Sequence, residues 1–300
     1  MTRSGTIRLA LLALTWGSSF LWIALALPML APSWLTVIRL ALGCATLAVV
    51  CSVARYSLPR GWGVWAHLTV GGLLANTAPY FLFAVGADLT SSAYAGILNG
   101  TTPLWTALTL LALTRTIPPR LQVLGLVIGF AGTVLIFEPW TQATGEPVTG
   151  VLACLGAAGL YGISYVYLSR YVTPLPFNPI ALAAGQLGTA TITSLALLPL
   201  DGAAVRPPTA SAVVAVLILG VVGTGLAYVL NYSLLTSDGP TTASLVAYLI
   251  PIVAAVLGVI VLGDVLPPGA VVGAAVVLLG VALVRRRPQP VSAARNHDPA

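Results

Sequence analysis

The 300-residue chain is 58% hydrophobic and 7% charged, with a mean hydropathy of +0.99. A soluble domain is roughly a quarter charged, so this balance excludes one and points to a protein embedded in a lipid bilayer. Its thirteen basic residues are all arginine and, against seven acids, give a formal charge of +6; all but Arg39 stand outside or at the ends of apolar runs, as orientation signals do, which argues against nucleic acid as a partner.

A membrane-spanning helix needs about 20 predominantly apolar residues. Charges, prolines and glycines divide the chain into ten such segments, at 7–27, 34–54, 64–86, 91–113, 120–138, 149–169, 179–199, 211–232, 240–262 and 267–284. The expected fold class is therefore an all-α membrane protein with ten transmembrane helices. The first segment carries Arg3 and Arg8 ahead of it and Ala24-Leu25-Ala26 near its end, so a cleavable signal peptide has to be considered. It is long for one and holds Trp16 and two serines that complete the first half, so it reads as a span. Cys44, Cys51 and Cys154 fall in apolar runs with no paired spacing and read as packing residues.

The loops test the count independently, because an error of one helix would scramble the alternation of charge. With the N-terminus inside, Arg3, Arg8, Arg55, Arg60, Arg115, Arg120, Arg170, Arg285, Arg286, Arg287 and Arg295 fall on the cytoplasmic side, against Arg206 alone outside. Arg39 lies within the second segment. Arginine-rich loops stay in the cytoplasm, so both termini are expected there, in a multi-pass protein of the inner (plasma) membrane. The tail, 286–300, is polar, holds Pro288 and Pro290, and is expected to be disordered, its arginines anchoring the helix end at anionic lipid.

Sliding the sequence on itself by 148 residues brings Gly72 onto Gly220, Tyr80 onto Tyr228, Pro103 onto Pro251, Pro119 onto Pro267, Gly125 onto Gly273 and Gly132 onto Gly280, without a gap. The chain thus reads as two related halves, 1–142 and 143–285. Each holds five segments, an odd number, so the second half enters the membrane from the side opposite to the first. Inverted repeats of this kind recur in secondary transporters, where two similar bundles exchange roles to open a central site to each side in turn.

The first half carries Trp16-Gly17-Ser18-Ser19-Phe20 in the first segment, Arg39 in the second, 91–103 at the fourth, and the Gly125/Gly132 helix. They return as Tyr161-Gly162-Ile163-Ser164-Tyr165, 240–251 with Leu262-Gly263-Asp264 after it, and Gly273/Gly280. Over nearly its whole length the chain resembles the drug/metabolite transporter superfamily, specifically its ten-helix EamA-type members. The resemblance implies a secondary transporter or exporter of small metabolites with cytoplasmic termini. Two departures stand out. The acidic residue that the family often places after the fourth and ninth helices is Asp264 in the second half, where the first has Thr114-Arg115-Thr116. Gln186 stands near where the internal alignment would match Arg39, so the intramembrane charge is present once.

Polar side chains in such helices face the bundle interior or a cavity. Helical spacing pairs Asn76 with Tyr80, Thr224 with Tyr228, Trp16 with Ser19, and Tyr161 with Tyr165. Asn99 and Tyr248 stand within a turn of the echoed prolines, which free a backbone carbonyl and can break or kink a helix. With Arg39 and Gln186 these residues form the candidate substrate site; the competing reading is that they only hydrogen-bond between helices. Arg39 either snorkels to the outer interface, pairs with Asp88 or Asp264, or receives a substrate carboxylate. Gly125, Gly129, Gly132, Gly273 and Gly280 let backbones approach closely, against partner helices of the chain or as the seam of a homodimer.

His67 and His297 have no Cys or acid at ligand spacing, so no metal is expected. No phosphate-binding glycine loop is present, and no cofactor is expected. Aromatic and amide groups with one arginine and no mid-membrane carboxylate favour a small-molecule cargo that is neutral, zwitterionic or anionic, such as an amino acid. They leave proton coupling unsupported and facilitated export or exchange open. The alternatives are a lipid-linked-sugar or nucleotide-sugar carrier, for which more cations would be expected, and a non-transporting membrane scaffold. An intramembrane enzyme would need a nucleophile with a base, or clustered metal ligands, at membrane depth.

Overall fold

Hydrocarbon offers no water to an unpaired peptide group, so apolar runs of this length resolve into helices that bond internally. The computed structural model describes residues 3–90, 95, 98–137, 140, 147–200, 207–257 and 268–285. In chain order the helices are α1 (Arg3–Gly17), α2 (Ser19–Ala26), α3 (Pro32–Val53), α4 (Trp62–Gly72), α5 (Ala78–Leu89), α6 (Thr102–Thr114), α7 (Arg120–Phe137), α8 (Val148–Tyr167), α9 (Pro179–Ser194), α10 (Ala210–Gly220), α11 (Ala227–Ser244), α12 (Val246–Leu257) and α13 (Pro268–Arg285). Six stretches are long and apolar enough to cross a membrane: Ser4–Ile23, Pro32–Val53, Trp62–Leu89, Val148–Val172, Pro179–Leu197 and Ala210–Ser244. Thr102–Thr114, Arg120–Ile136 and Val271–Val284 are shorter apolar helices. The chain is an α-helical membrane protein. The expected tail and Asp264 lie outside the described residues.

The distribution of side chains is that of a body solvated by lipid. Leu11, Leu14, Val49, Leu108, Val127, Ile192, Leu217, Val271 and Leu278 are exposed, whereas Asn76, Thr106, Thr133, Gln186, Thr224 and Asn231 are buried. Polar groups point inward because only other protein groups or a cavity can satisfy them there.

Two helices that cross the expected spans are interrupted by a wider turn, and at matching places. A π-turn at Leu73–Thr77 joins α4 to α5, and another at Val221–Leu226 joins α10 to α11; their first residues are separated by the same 148 positions as the sequence echo. Such turns insert one residue into the helical ladder and leave carbonyls free for other partners. A third, Leu168–Val172, closes α8. The expected loop between the eighth and ninth segments is mostly helix: α11 runs on until Gly239, whose φ of 81° a side-chain-bearing residue would adopt only with strain, and Pro240 then bends the chain. The echoed prolines differ in use. Pro103 sits in the first turn of α6, where its missing N–H costs nothing, whereas Pro251 lies inside α12.

α7 and α13 pack against each other through their glycines. A Cβ on Gly132 would lie 2.6 Å from the backbone nitrogen of Val277 and 2.8 Å from Gly273 O, and one on Gly125 would lie 2.8 Å from Gly280 O. The first glycine of each helix therefore meets the last of the other, so the pair runs antiparallel and is self-complementary. These glycine faces are covered within the chain, which removes them as the seam of a homodimer. Elsewhere α1 packs on α11 and α12, α2 on α10, α3 and α4 on α9, and α5 and α6 on α8. The space left between α1, α2, α3, α5, α6, α8, α11 and α12 holds the site.

Candidate functional site

A cavity with an empty volume of about 830 Å³, part of it open to solvent, lies between these helices. Of the residues selected by spacing, Trp16, Ser19, Arg39, Tyr80, Asn99, Tyr161, Tyr165 and Tyr228 line it. Aromatic rings form much of the wall. Tyr80 meets Tyr161 edge-on, Phe83 stacks on Tyr161 at 5.7 Å, and Trp16 meets Tyr228 edge-on at 6.3 Å. Rings present large rigid faces at little entropic cost, so such a wall holds its shape.

Arg39 is held from two sides. Its Nε donates to Thr224 Oγ1 at 2.8 Å, and its guanidinium carbon lies 3.9 Å from the centroid of the Tyr80 ring. Thr224 can accept because its own hydroxyl donates to Leu219 O, at 3.0 Å across the second π-turn. With 8% of its surface exposed, the arginine does not snorkel. Nor does it pair with Asp88, which lines a separate recess beside Leu27, Met29 and Pro32. Among the described residues the Nε bond is its only hydrogen bond, so the terminal amino groups are left for the cavity. A guanidinium fixed at one edge presents its remaining N–H groups as a preset fork for a carboxylate.

Asn76, Gln186, Thr224 and Tyr248 do not line the cavity, and the reason is the same for each: a neighbouring helix uses their polar atoms. Asn76 Nδ2 donates to Tyr228 OH at 2.5 Å, and Gln186 Nε2 donates to Asn76 Oδ1 at 2.7 Å. Tyr232 OH donates to Gln186 Oε1, and Tyr228 OH donates to Ala75 O at 3.3 Å. The result is a buried chain of bonds behind the wall that fixes the Tyr228 ring. Tyr248 OH donates to Leu126 O at 2.6 Å and its ring packs on Gly129, in the layer beside α7. Trp16 Nε1 donates to Gly223 O at 3.1 Å, so a carbonyl of the second π-turn anchors a wall residue.

Several lining residues escaped the spacing argument: Phe83, Thr102, Ser164 and Asn231. Asn231 stands three residues after Tyr228, Ser164 three after Tyr161 and Thr102 three after Asn99, so the same helical rule, extended one step, reaches all three. At one end of the bundle His67 Nδ1 lies 2.7 Å from Tyr167 OH and the imidazole stacks on Tyr171 at 5.5 Å. Among the described residues no cluster of His, Cys, Asp and Glu could hold a metal.

Comparison with known proteins adds the following. Residues 3–138 and 148–286 each match the EamA-like transporter family. The chain is 28% identical over 287 residues to a protein of Streptantibioticus cattleyicolor described as a probable terminal-alkyne amino-acid exporter, covering 93% of this chain and 92% of that one. It is 26% identical over 260 residues to an uncharacterized transporter of Archaeoglobus fulgidus, covering 85% and 88% respectively. A solved crystal structure superposes with a TM-score of 0.77 at 22% identity, over 95% of this chain and 98% of that one, a likeness of fold.

Proposed function

This protein belongs to the EamA-like transporter family, whose members are membrane transporters and not enzymes, and we propose that it exports or exchanges small zwitterionic metabolites of the amino-acid class by alternating access. The observation that carries this reading is Arg39, held on Thr224 and Tyr80, with no other hydrogen-bond partner among the described residues and its side chain on the cavity wall. The arginine receives the carboxylate of the cargo, and the aromatic wall receives its apolar part. The description of the Streptantibioticus relative as an amino-acid exporter agrees with this substrate class.

The mechanism rests on ten spans arranged as two inverted repeats, 1–142 and 143–285. The antiparallel, self-complementary glycine crossing of α7 and α13 supports that arrangement, as do the π-turns 148 residues apart. Two bundles of opposite orientation around one cavity can open it to each side in turn without moving the site. The arginines at 3, 8, 55, 60, 115, 120 and 170 support cytoplasmic termini, and with them a place in the plasma membrane. Among the described residues that line the cavity, Arg39 is the one cation and there is no carboxylate. This favours exchange or facilitated export over proton coupling, and an amino acid over the phosphate-bearing cargo of a nucleotide-sugar carrier.

Counterflow in proteoliposomes tests this. Vesicles preloaded with unlabelled amino acids should accumulate the matching labelled compound in a protein-dependent way, and vesicles preloaded with sugars or nucleotide sugars should not. Counterflow confined to nucleotide sugars would overturn the substrate class.

A further inference from the structure

The two halves are alike at Tyr80 and Tyr228 but unlike at three other positions that face the same cavity. Asn231 is matched at 148 residues by Phe83, Asn99 by Ala247 and Thr102 by Ile250, and all six residues line the cavity. The duplicated wall has therefore been made polar on one side and apolar on the other. The polar side is assembled from neighbours, since α6, which carries Thr102, packs against α11, which carries Asn231.

The polar side is also unsatisfied. Asn231 Oδ1 and Thr102 Oγ1 are buried without a hydrogen-bond partner among the described residues, in side chains that are 3% and 2% exposed. They differ in this from Asn76 and Gln186, whose amides are bonded to each other and to tyrosines. Burying a polar group without a partner is destabilising, and such groups in a native structure call for an explanation in use. Both atoms can accept: an amide oxygen, and a hydroxyl oxygen that has two lone pairs beside its own O–H donor.

We infer that Asn231 and Thr102, with Asn99 beside them, form a second subsite that accepts hydrogen bonds from the ammonium group of a zwitterionic cargo, and that this subsite sets selectivity. The inference rests on the carboxylate role proposed for Arg39 and deepens it. The ammonium brings three donors, and turning the Asn231 amide presents its oxygen to one of them. No acid residue lines the cavity among the described residues, so none of them competes with the carboxylate of the cargo itself as the anion that balances the ammonium. Zwitterions are thereby favoured over simple amines, which would bring an unbalanced charge into a low-dielectric site.

The test uses purified full-length protein in proteoliposomes and a labelled aliphatic amino acid, competed by its des-amino carboxylic acid and by its decarboxylated amine. Wild type should discriminate against the des-amino acid by about ten- to a hundredfold, the range that one unpaired buried polar group produces. Asn231→Leu and Thr102→Val should lose most of that discrimination, chiefly by weakening the amino acid, while competition by the des-amino acid is retained. Thermal unfolding provides a second readout: Asn231→Leu should unfold at the same or a higher temperature than wild type, because it removes an unpartnered polar group. A structural asparagine would give the opposite. Equal loss of both compounds in the variants, unchanged selectivity, or a destabilised Asn231→Leu would overturn the subsite. Should wild type exchange only the amine, with Asn231→Leu abolishing that exchange, the Arg39 carboxylate role would fall and the donor subsite would stand.

Discussion

The guanidinium of Arg39 lies 3.9 Å above the ring of Tyr80 and is tied through Nε to Thr224, so an aromatic from one half of the chain and a hydroxyl from the other hold a single buried cation. The cation is left with its amino groups toward a cavity that contains no acid among its described lining residues. This relationship separates a positioned arginine from one that snorkels, and it makes the identity of each holder testable.

Arg39→Lys distinguishes the two. A lysine cannot hold Thr224 with one nitrogen and offer a planar fork with others. Exchange of a carboxylate-bearing cargo should fall at least tenfold in Arg39→Lys while the protein remains monodisperse. An arginine that merely reached the interface would tolerate the change.

Tyr80 should act through its ring face. Tyr80→Phe keeps the face and should retain most of the exchange. Tyr80→Ala removes a cation–π contact worth about 0.5–2 kcal/mol, which corresponds to a rise in KM of a few-fold to about thirtyfold. Transport kinetics of the two variants, measured side by side, check this.

The glycine crossing predicts a stability difference that has nothing to do with the cavity. A Cβ on Gly280 would lie 2.5 Å from the backbone nitrogen of Gly129, and backbone cannot move aside as a flexible side chain can. Gly280→Ala should lower the unfolding temperature, by a free energy on the order of 1–3 kcal/mol. Gly156→Ala, whose Cβ would meet only Leu82 at 3.8 Å, should leave it unchanged or raise it, since alanine is the better helix former.

Behind the wall, Gln186→Leu leaves Asn76 Oδ1 and Tyr232 OH without the partners they now have. Each buried group so orphaned costs about 1–3 kcal/mol, so this variant should be clearly less stable than wild type. Thermal unfolding in detergent measures it. The contrast with Asn231→Leu, predicted to be at least as stable as wild type, separates structural amides from those kept for cargo.

Much of the frame was legible in the sequence because it rests on local chemistry. Apolar run lengths set the helices, and the Gly125/Gly132 and Gly273/Gly280 spacings marked the faces that now meet. What spacing could not reveal was how distant helices satisfy one another. Asn76 and Asn231 are both amides near a cavity tyrosine, yet Asn76 is bonded to Gln186, 110 positions away, and Asn231 Oδ1 to none of the described residues. The π-turns were less plain: Asn76, Thr77 and Pro79 on one side and Gly223 and Gly225 on the other weaken the helix locally, and the 148-residue echo sets the two stretches in register, but that each becomes a wider turn is seen only in three dimensions. Arg39 was recognisable as a residue out of place in hydrocarbon, but of the readings open to it, interface, Asp88, Asp264 or cargo, spacing could not foresee that Thr224 and Tyr80 hold it away from the interface and from Asp88.

The most direct test of the carboxylate role is counterflow of a labelled amino acid in vesicles of wild type and Arg39→Ala, each competed with the same amino acid and with its primary amide, in which the carboxylate is neutralised. The account predicts that the amide competes at least tenfold more weakly than the acid in wild type and that Arg39→Ala loses both exchange and this preference. Undiminished exchange in Arg39→Ala, or equal competition by acid and amide in wild type, would contradict it.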